Sequence, residues 1–224
     1  RRISYQAVFT RYQSHATKIA EEITSDGDRH TLIVLGGDGT VNEVINGIVY
    51  LGQTELGYIP LGSSNDLARG LELPSDPEKA LFSILNAPAR PVDIGCVRYG
   101  GRTRRFIVSS GFGFDASVCH QVMVSRLKPL LNGQEKISFH GVYFAAAMNL
   151  PFEGGGFKFC PHADCRDGKL NIIVVSGLSK LKVLLLLPTA FFGLHTRFHG
   201  VHTYTCHSAE FLSAAELPVH TDGE

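Results

Sequence analysis

Polar and apolar positions repeat with a helical period near the start of the chain. In residues 15–24, "HATKIAEEIT", Ala16, Ile19, Ala20 and Ile23 fall on one face, which predicts an amphipathic helix. The short, β-branched, continuous run "TLIVLG" predicts a buried strand. "VNEVINGIVY" returns to helical spacing with Val41, Val44, Ile45 and Ile48. "LGYIPLG" predicts the next strand, and "DPEKALFSILNA" a helix with Pro77 in its first turn. Strands and helices that alternate through short connections imply a parallel sheet with helices on its faces, an α/β unit over residues 1–90.

The texture changes after "ARPVDIG". "RRFIVSSGFGF", "VYFAAAMNL", "LNIIVVSG" and "VHTYTCHSAEFL" are strand-like, with "DASVCHQVMVSRL" and "SKLKVLLLL" as helices between them. A second domain built of antiparallel strands is expected over residues 91–224. The apolar run at 183–194 is too short to span a membrane and contains Pro188.

Composition changes this picture little. A hydrophobic share of 44% and a charged share of 19% in 224 residues are those of a folded globular chain. The 21 Lys and Arg match the 21 Asp and Glu, so no net charge steers the molecule to nucleic acid. Arg98, Arg102, Arg104 and Arg105 cluster around a turn at Gly100 and Gly101 and read as a solvated hairpin end. Five cysteines at irregular spacing form no disulfide framework, which suits a reducing, cytoplasmic compartment. No signal peptide opens the chain, and the start at "RRIS" without methionine reads as that of a fragment.

Two strand-to-helix junctions carry candidate chemistry. In "VLGGDGTVNEV" the glycines permit a sharp turn and close approach of a ligand, while the following helix offers free N–H groups to phosphate oxygens. The loop lacks both the Walker lysine and the G-x-G-x-x-G spacing. A plain turn with Asp38 or Thr40 as helix cap explains it equally well. The second junction, "IPLGSSNDLARGL", again places small and polar groups before a helix, although Asp66 is a good cap and pairs ordinarily with Arg69. Both junctions belong at the carboxyl edge of one parallel sheet, where open α/β folds bind ligands.

The ordered series "GGDGTVNEVINGI", "GYIPLGSSNDLARGL", "PVDIG", "GFGFDA", "GGGFKFCPHADCRDGKLNIIVV" and "HTDGE" resembles the diacylglycerol kinase catalytic family of lipid kinases, which also includes sphingosine and ceramide kinases. NAD kinases share the first loop and are more distant. The resemblance runs from about Thr10 to Glu224. It implies an N-terminal Rossmann-like parallel sheet, a C-terminal, mainly antiparallel β-sandwich, and transfer of the γ-phosphate of ATP to a lipid hydroxyl with Mg2+. Diacylglycerol is the leading acceptor. It further implies a cytoplasmic protein that meets its lipid peripherally at the membrane surface, and it admits a homodimer.

The same resemblance assigns roles. Gly37, Asp38, Gly39, Thr40, Val41, Asn42 and Glu43 form the ATP loop, with Thr10 and Ser63 as further nucleotide contacts. Thr10 matches a threonine that ends a strand before the first helix. Asp38 and Asp66 correspond to the acidic, magnesium-linked phosphate network, Asp93 to a polar support between domains, Asp222 to the general base, and Glu224 to its acidic neighbour. A structural cation site maps onto the Asp167 carboxylate with the carbonyls of Asp164 and Lys169. Zinc on Cys160, Cys165, His162 and His202 or Cys206 is the rival there, without the paired CxxC spacing of a zinc site.

Two departures qualify the match: relatives begin with a strand and an Asn-Pro loop not found here, and they are longer between "QEKISF" and "HGVYFAAAMN". Two other functions stay open, a kinase of a soluble acceptor such as NAD and a non-catalytic nucleotide- or lipid-binding module. "KVLLLLPTAFF" is expected to be a buried core helix, with the wall of a lipid site or a membrane-facing surface as alternatives.

Overall fold

A computed structural model describes residues 3–113, 130–131, 135–212 and 217–223. Helix α1 (His15–Thr24) is followed by strand β1 (His30–Gly36) and helix α2 (Asp38–Gly47), and β2 (Thr54–Pro60) pairs with β1 in parallel, His30 opposite Thr54. α1 lies on α2, with Ala16 and Ala20 in one core with Val41, Val44 and Ile45. Gly47 permits this contact, because a Cβ there would stand 2.1 Å from the Thr17 carbonyl oxygen. Helix α3 (Asp66–Gly70) follows β2, and α4 (Pro77–Asn86) starts where Asp76 accepts the Lys79 N–H at 2.9 Å.

The first strand departs from expectation. It alternates: Val34 is buried, while Ile33 is 38% and Leu35 60% exposed. Among the described residues β1 pairs with β2 alone. α1 and α2 cover one face of the pair; on the other, Ile84 of α4 lies over Gly57, and Leu35 stays exposed.

In the second half a hairpin of β3 (Gly95–Tyr99) and β4 (Arg102–Phe106) comes first, then β5 (Ser109–Gly113). Short strands β6 (Leu130–Leu131) and β7 (Glu135–Lys136) precede the long β8 (Val142–Met148) and β9 (Leu170–Ser176). Helix α5 (Lys180–Ala190), β10 (Val201–Cys206), β11 (Ala209–Glu210) and β12 (Val219–Thr221) complete the order. The main sheet runs β10-β9-β8-β5-β12, antiparallel throughout, and β11-β6-β7 form a smaller one.

"VYFAAAM" and "LNIIVVS" are continuous apolar runs because both faces of the sheet are buried. Ala145, Ala147, Ile172 and Val174 pack with Phe106 and Phe112 on one side; Phe144, Ala146, Met148, Ile173 and Val175 form the other core. The first half's core also takes in Ile107, Val108, Leu150 and Cys165, so the two halves share packed interior.

Three further expectations meet the coordinates. Residues 102–113 form two strands with a break at 107–108. The arginine cluster is solvated at Arg98 and Arg102, but Arg105 Nη1 donates to the carbonyls of Ile45 and Ile48 at 2.7 Å each, closing the end of α2. α5 is not a buried core helix: Leu181, Leu184 and Leu185 are about two-thirds exposed, at 65%, 65% and 67%. The helix expected within 115–127 lies outside the described residues.

Candidate active site

The two glycine-bearing loops end β1 and β2 and lie against each other. A Cβ on Gly62 would sit 2.6 Å from Gly37 Cα, and the Leu61 N–H donates to the Gly36 carbonyl at 2.8 Å. Glycine is therefore needed where the loops cross. Asp38, in the first turn of α2, reaches over to the second loop: its carboxylate accepts the Asp66 N–H at 2.7 Å, the Leu67 N–H at 3.3 Å and the Tyr58 hydroxyl at 3.2 Å. One loop's acid thus caps the other loop's helix. Burial pushes the Asp38 carboxyl above its ordinary pKa, and the N–H donors pull against that rise. Burial raises the Tyr58 hydroxyl as well, with Asp38 adding to it.

Asn65 holds the second loop closed, accepting the Gly62 N–H at 3.0 Å and donating to the Gly62 carbonyl at 2.7 Å, with its backbone at φ 50°. Asp66 is buried and doubly engaged. Its Oδ1 takes Arg69 Nη1 at 2.5 Å, and its Oδ2 accepts the Gly155 N–H at 2.7 Å from the triglycine turn of the second half. The Asp66–Arg69 pair expected from spacing is present, and the bond across to Gly155 is an addition that spacing does not show.

Asp222 sits where β4 ends and β5 begins. The chain break at 107–108 turns three successive N–H groups inward: Ile107 at 3.0 and 3.2 Å, Val108 at 2.8 Å and Ser109 at 2.9 Å all donate to the Asp222 carboxylate. Asn42 of α2 donates to it at 2.7 Å from the other half. Asp222 is 8% exposed, and its own N–H returns to the Ser109 carbonyl at 2.9 Å, with φ at 53°. Burial raises its carboxyl above the ordinary range while the Asn42 and backbone donors oppose the rise. The Asp222 carboxylate is thus tied to α2 of the first half.

Asn42 is fully buried; besides reaching Asp222 it receives Arg104 Nη2 on its Oδ1 at 2.8 Å. Its side chain thus faces the carboxylate of the second half. Val41 is buried in the core. Glu43 accepts the Ser14 N–H at 2.7 Å and the Ala16 N–H at 3.1 Å, capping α1. Gly39 and Thr40 are half-buried in the first turn of α2, and Ser63 is exposed. Thr10 lies in an exposed segment with no strand around it, contrary to the strand end expected there. Glu224 lies outside the described residues.

Residues not singled out from the sequence complete the arrangement. Asn149 anchors the break, donating from Nδ2 to the Ile107 carbonyl and from its N–H to the Val108 carbonyl, both at 2.8 Å. Ser109 donates its hydroxyl to the buried Glu153, which also faces His220 Nδ1 at 3.5 Å. A polar Asn closing the apolar "AAAM" run, and an acid directly before three glycines, are the available sequence signals.

Asp164 and Asp167 are exposed and turn onto their own loop, accepting the N–H groups of Arg166 at 3.1 Å and Lys169 at 2.9 Å. Asp93 clasps this turn, accepting the Gly168 N–H at 2.7 Å and donating to the Cys165 carbonyl at 2.6 Å. Cys160, Cys165 and Cys206 are buried, and burial raises each thiol, which favours the protonated form over a thiolate zinc ligand. Among the described residues no group of three or more His, Cys, Asp or Glu is placed to hold a metal ion. All four carboxylate oxygens of Asp38 and Asp66 already accept protein donors. Such oxygens suit the outer sphere of a magnesium ion carried on phosphates; they are no cage by themselves.

A glycine-loop α/β unit and an antiparallel sheet unit thus meet through Asn42 with Asp222 and through Asp66 with the Gly155 N–H. The family model for the diacylglycerol kinase catalytic domain matches residues 1–97, and that for the YegS C-terminal NAD kinase beta sandwich-like domain matches residues 112–224. The chain is 29% identical to a putative lipid kinase, YtlR, of Bacillus subtilis over all of its length and 84% of the relative's. It is 31% identical to a probable lipid kinase, YegS-like, of Chromohalobacter salexigens, with 92% of this chain and 73% of that one covered. The solved structure of a putative diacylglycerol kinase from Bacillus anthracis superposes with a TM-score of 0.78 at 26% identity, covering 96% of this chain and 77% of that one. The chain belongs to the diacylglycerol kinase catalytic-domain family, a family of lipid kinases.

Proposed function

We propose that this protein transfers the γ-phosphoryl group of ATP to the hydroxyl of diacylglycerol, with Asp222 as general base. The observation that carries the reading is the Asn42–Asp222 bond of 2.7 Å, which ties the acceptor of one half to the phosphate-loop helix of the other. Phosphoryl transfer asks for alignment and charge compensation more than for covalent chemistry. Loop amides at the start of α2 meet phosphate oxygens, and Asp38 fixes the second loop against the first. Asp222, raised by burial, takes the lipid hydroxyl's proton. Its oxygens share four donor groups, so the bifurcated Ile107 contact is the one that gives way to a substrate hydrogen. Magnesium brought in with ATP would be held through Asp38 and Asp66 in its outer sphere and would offset charge on the phosphate oxygens.

A small apolar pocket lies beneath α5, lined by Tyr143, Phe144, Val175, Val183, Leu187 and Val201. The test is transfer from γ-labelled ATP to a panel of diacylglycerol, sphingosine, ceramide and NAD. Labelled phosphatidate as the main product is expected. Product on NAD alone, or ATP binding without turnover on any acceptor, would overturn the reading.

A further inference from the structure

We propose that the outer face of α5 and the turn after it dock the protein on an anionic lipid bilayer. Past its first residues, which include Lys180 and Lys182, the helix is apolar on every side. Val183, Leu186 and Ala190 pack inward against the sheet, whereas Leu181, Leu184 and Leu185 point out at 65%, 65% and 67% exposure, and Phe191 and Phe192 continue the patch at 50% and 76%. A helix apolar all round needs an apolar neighbour on both sides, and the described residues supply one. Patches of this kind on a folded chain mark an interaction surface. Its 11 residues are too few to cross a bilayer, and no described helix is long and apolar enough to do so, so α5 lies in the plane of the interface.

Charge selects the occupant. From Leu170 to Ala209 the sequence contains no Asp or Glu, but it contains Lys180, Lys182 and Arg197. Lys180 and Lys182 frame Leu181 at the start of the helix, and Arg197 follows the exposed Leu194. Cations around an apolar centre match anionic headgroups around acyl chains. A second copy of this chain matches poorly, because a two-fold pairing on this face brings like charges together. The helix also forms a wall of the small apolar pocket through Val183, Leu186 and Leu187.

The inference rests on the lipid-kinase reading for its use, but its measurement does not. Full-length chain is sedimented with vesicles of phosphatidylcholine alone or with added phosphatidylglycerol, at low and high salt. Binding to the anionic vesicles, weakened by salt, is expected. Leu184→Glu with Leu185→Glu lowers partitioning about tenfold or more, and Lys180→Gln with Lys182→Gln removes the preference for anionic lipid. Phe192→Ser, outside the helix, repeats the loss without touching helical packing, and circular dichroism checks that each variant is folded. Turnover of a water-soluble, short-chain diacylglycerol stays at the wild-type level in the leucine variant.

Wild-type protein left in the supernatant with both vesicle types, or Glu and Ser variants that bind like wild type, would overturn the proposal. So would a dimer in sedimentation velocity that the Leu184→Glu, Leu185→Glu pair dissociates. Leucine-dependent vesicle binding without lipid phosphorylation would leave the docking face standing and remove the kinase reading.

Discussion

The proposed chemistry centres on one residue, Asp222. Its carboxyl stands above the ordinary range because burial outweighs the donors around it. The acid limb of kcat should therefore lie above the usual carboxylate value of about 4. Stability follows the same shift with a definite sign. A carboxyl raised in the folded state binds more protons there than in the unfolded chain between the two pKa values, so its contribution is full below the unfolded value and is lost as pH rises through the folded one. Asp38 is shifted in the same direction. Urea unfolding at a series of pH values should show a downward slope with rising pH in that window, shallower in Asp222→Asn. Glu153 is the second residue to probe. Replacing it with alanine strips a buried partner from Ser109 and His220, at a cost of about 1–3 kcal/mol, which calorimetry reads as a lowered Tm.

At the scale of elements, α2 is held at both ends. Asp38 ties its start to α3, and Arg105 caps its last carbonyls from the hairpin. Arg105→Ala should cost about 1–3 kcal/mol by leaving those carbonyls without their charged donor, measured by denaturant midpoint. Gly62→Ala forces a Cβ into the backbone of the neighbouring loop. It should raise KM for ATP while the protein still folds, and an unchanged KM would detach the loop crossing from nucleotide binding. The strand break at 107–108 was hidden from the sequence, since "RRFIVSSGFGF" carries no turn residue there. Its cause is Asp222, more than a hundred residues on, together with Asn149. Periodicity reports local preference, and this break is set by tertiary hydrogen bonds.

Across the whole molecule, alternating patterns in the first ninety residues and continuous apolar runs in the later strands made the α/β unit and the antiparallel sheet legible. The glycine loops were legible as a pair. What escaped was everything that depends on meeting across the fold: Asn42 turned to Asp222, Glu43 committed to α1, and Gly155 bonded to Asp66. The α5 run looked like core because nothing in a sequence tells which neighbour covers an apolar helix. The measurement that tests the central claim most directly is transfer of label from γ-labelled ATP to diacylglycerol by wild-type and Asp222→Asn proteins side by side, with ATP affinity followed by calorimetry. The account predicts labelled phosphatidate from the wild type, a loss of about 10²–10⁴-fold in kcat in the variant, and equal ATP binding. Equal turnover by the two proteins would contradict it.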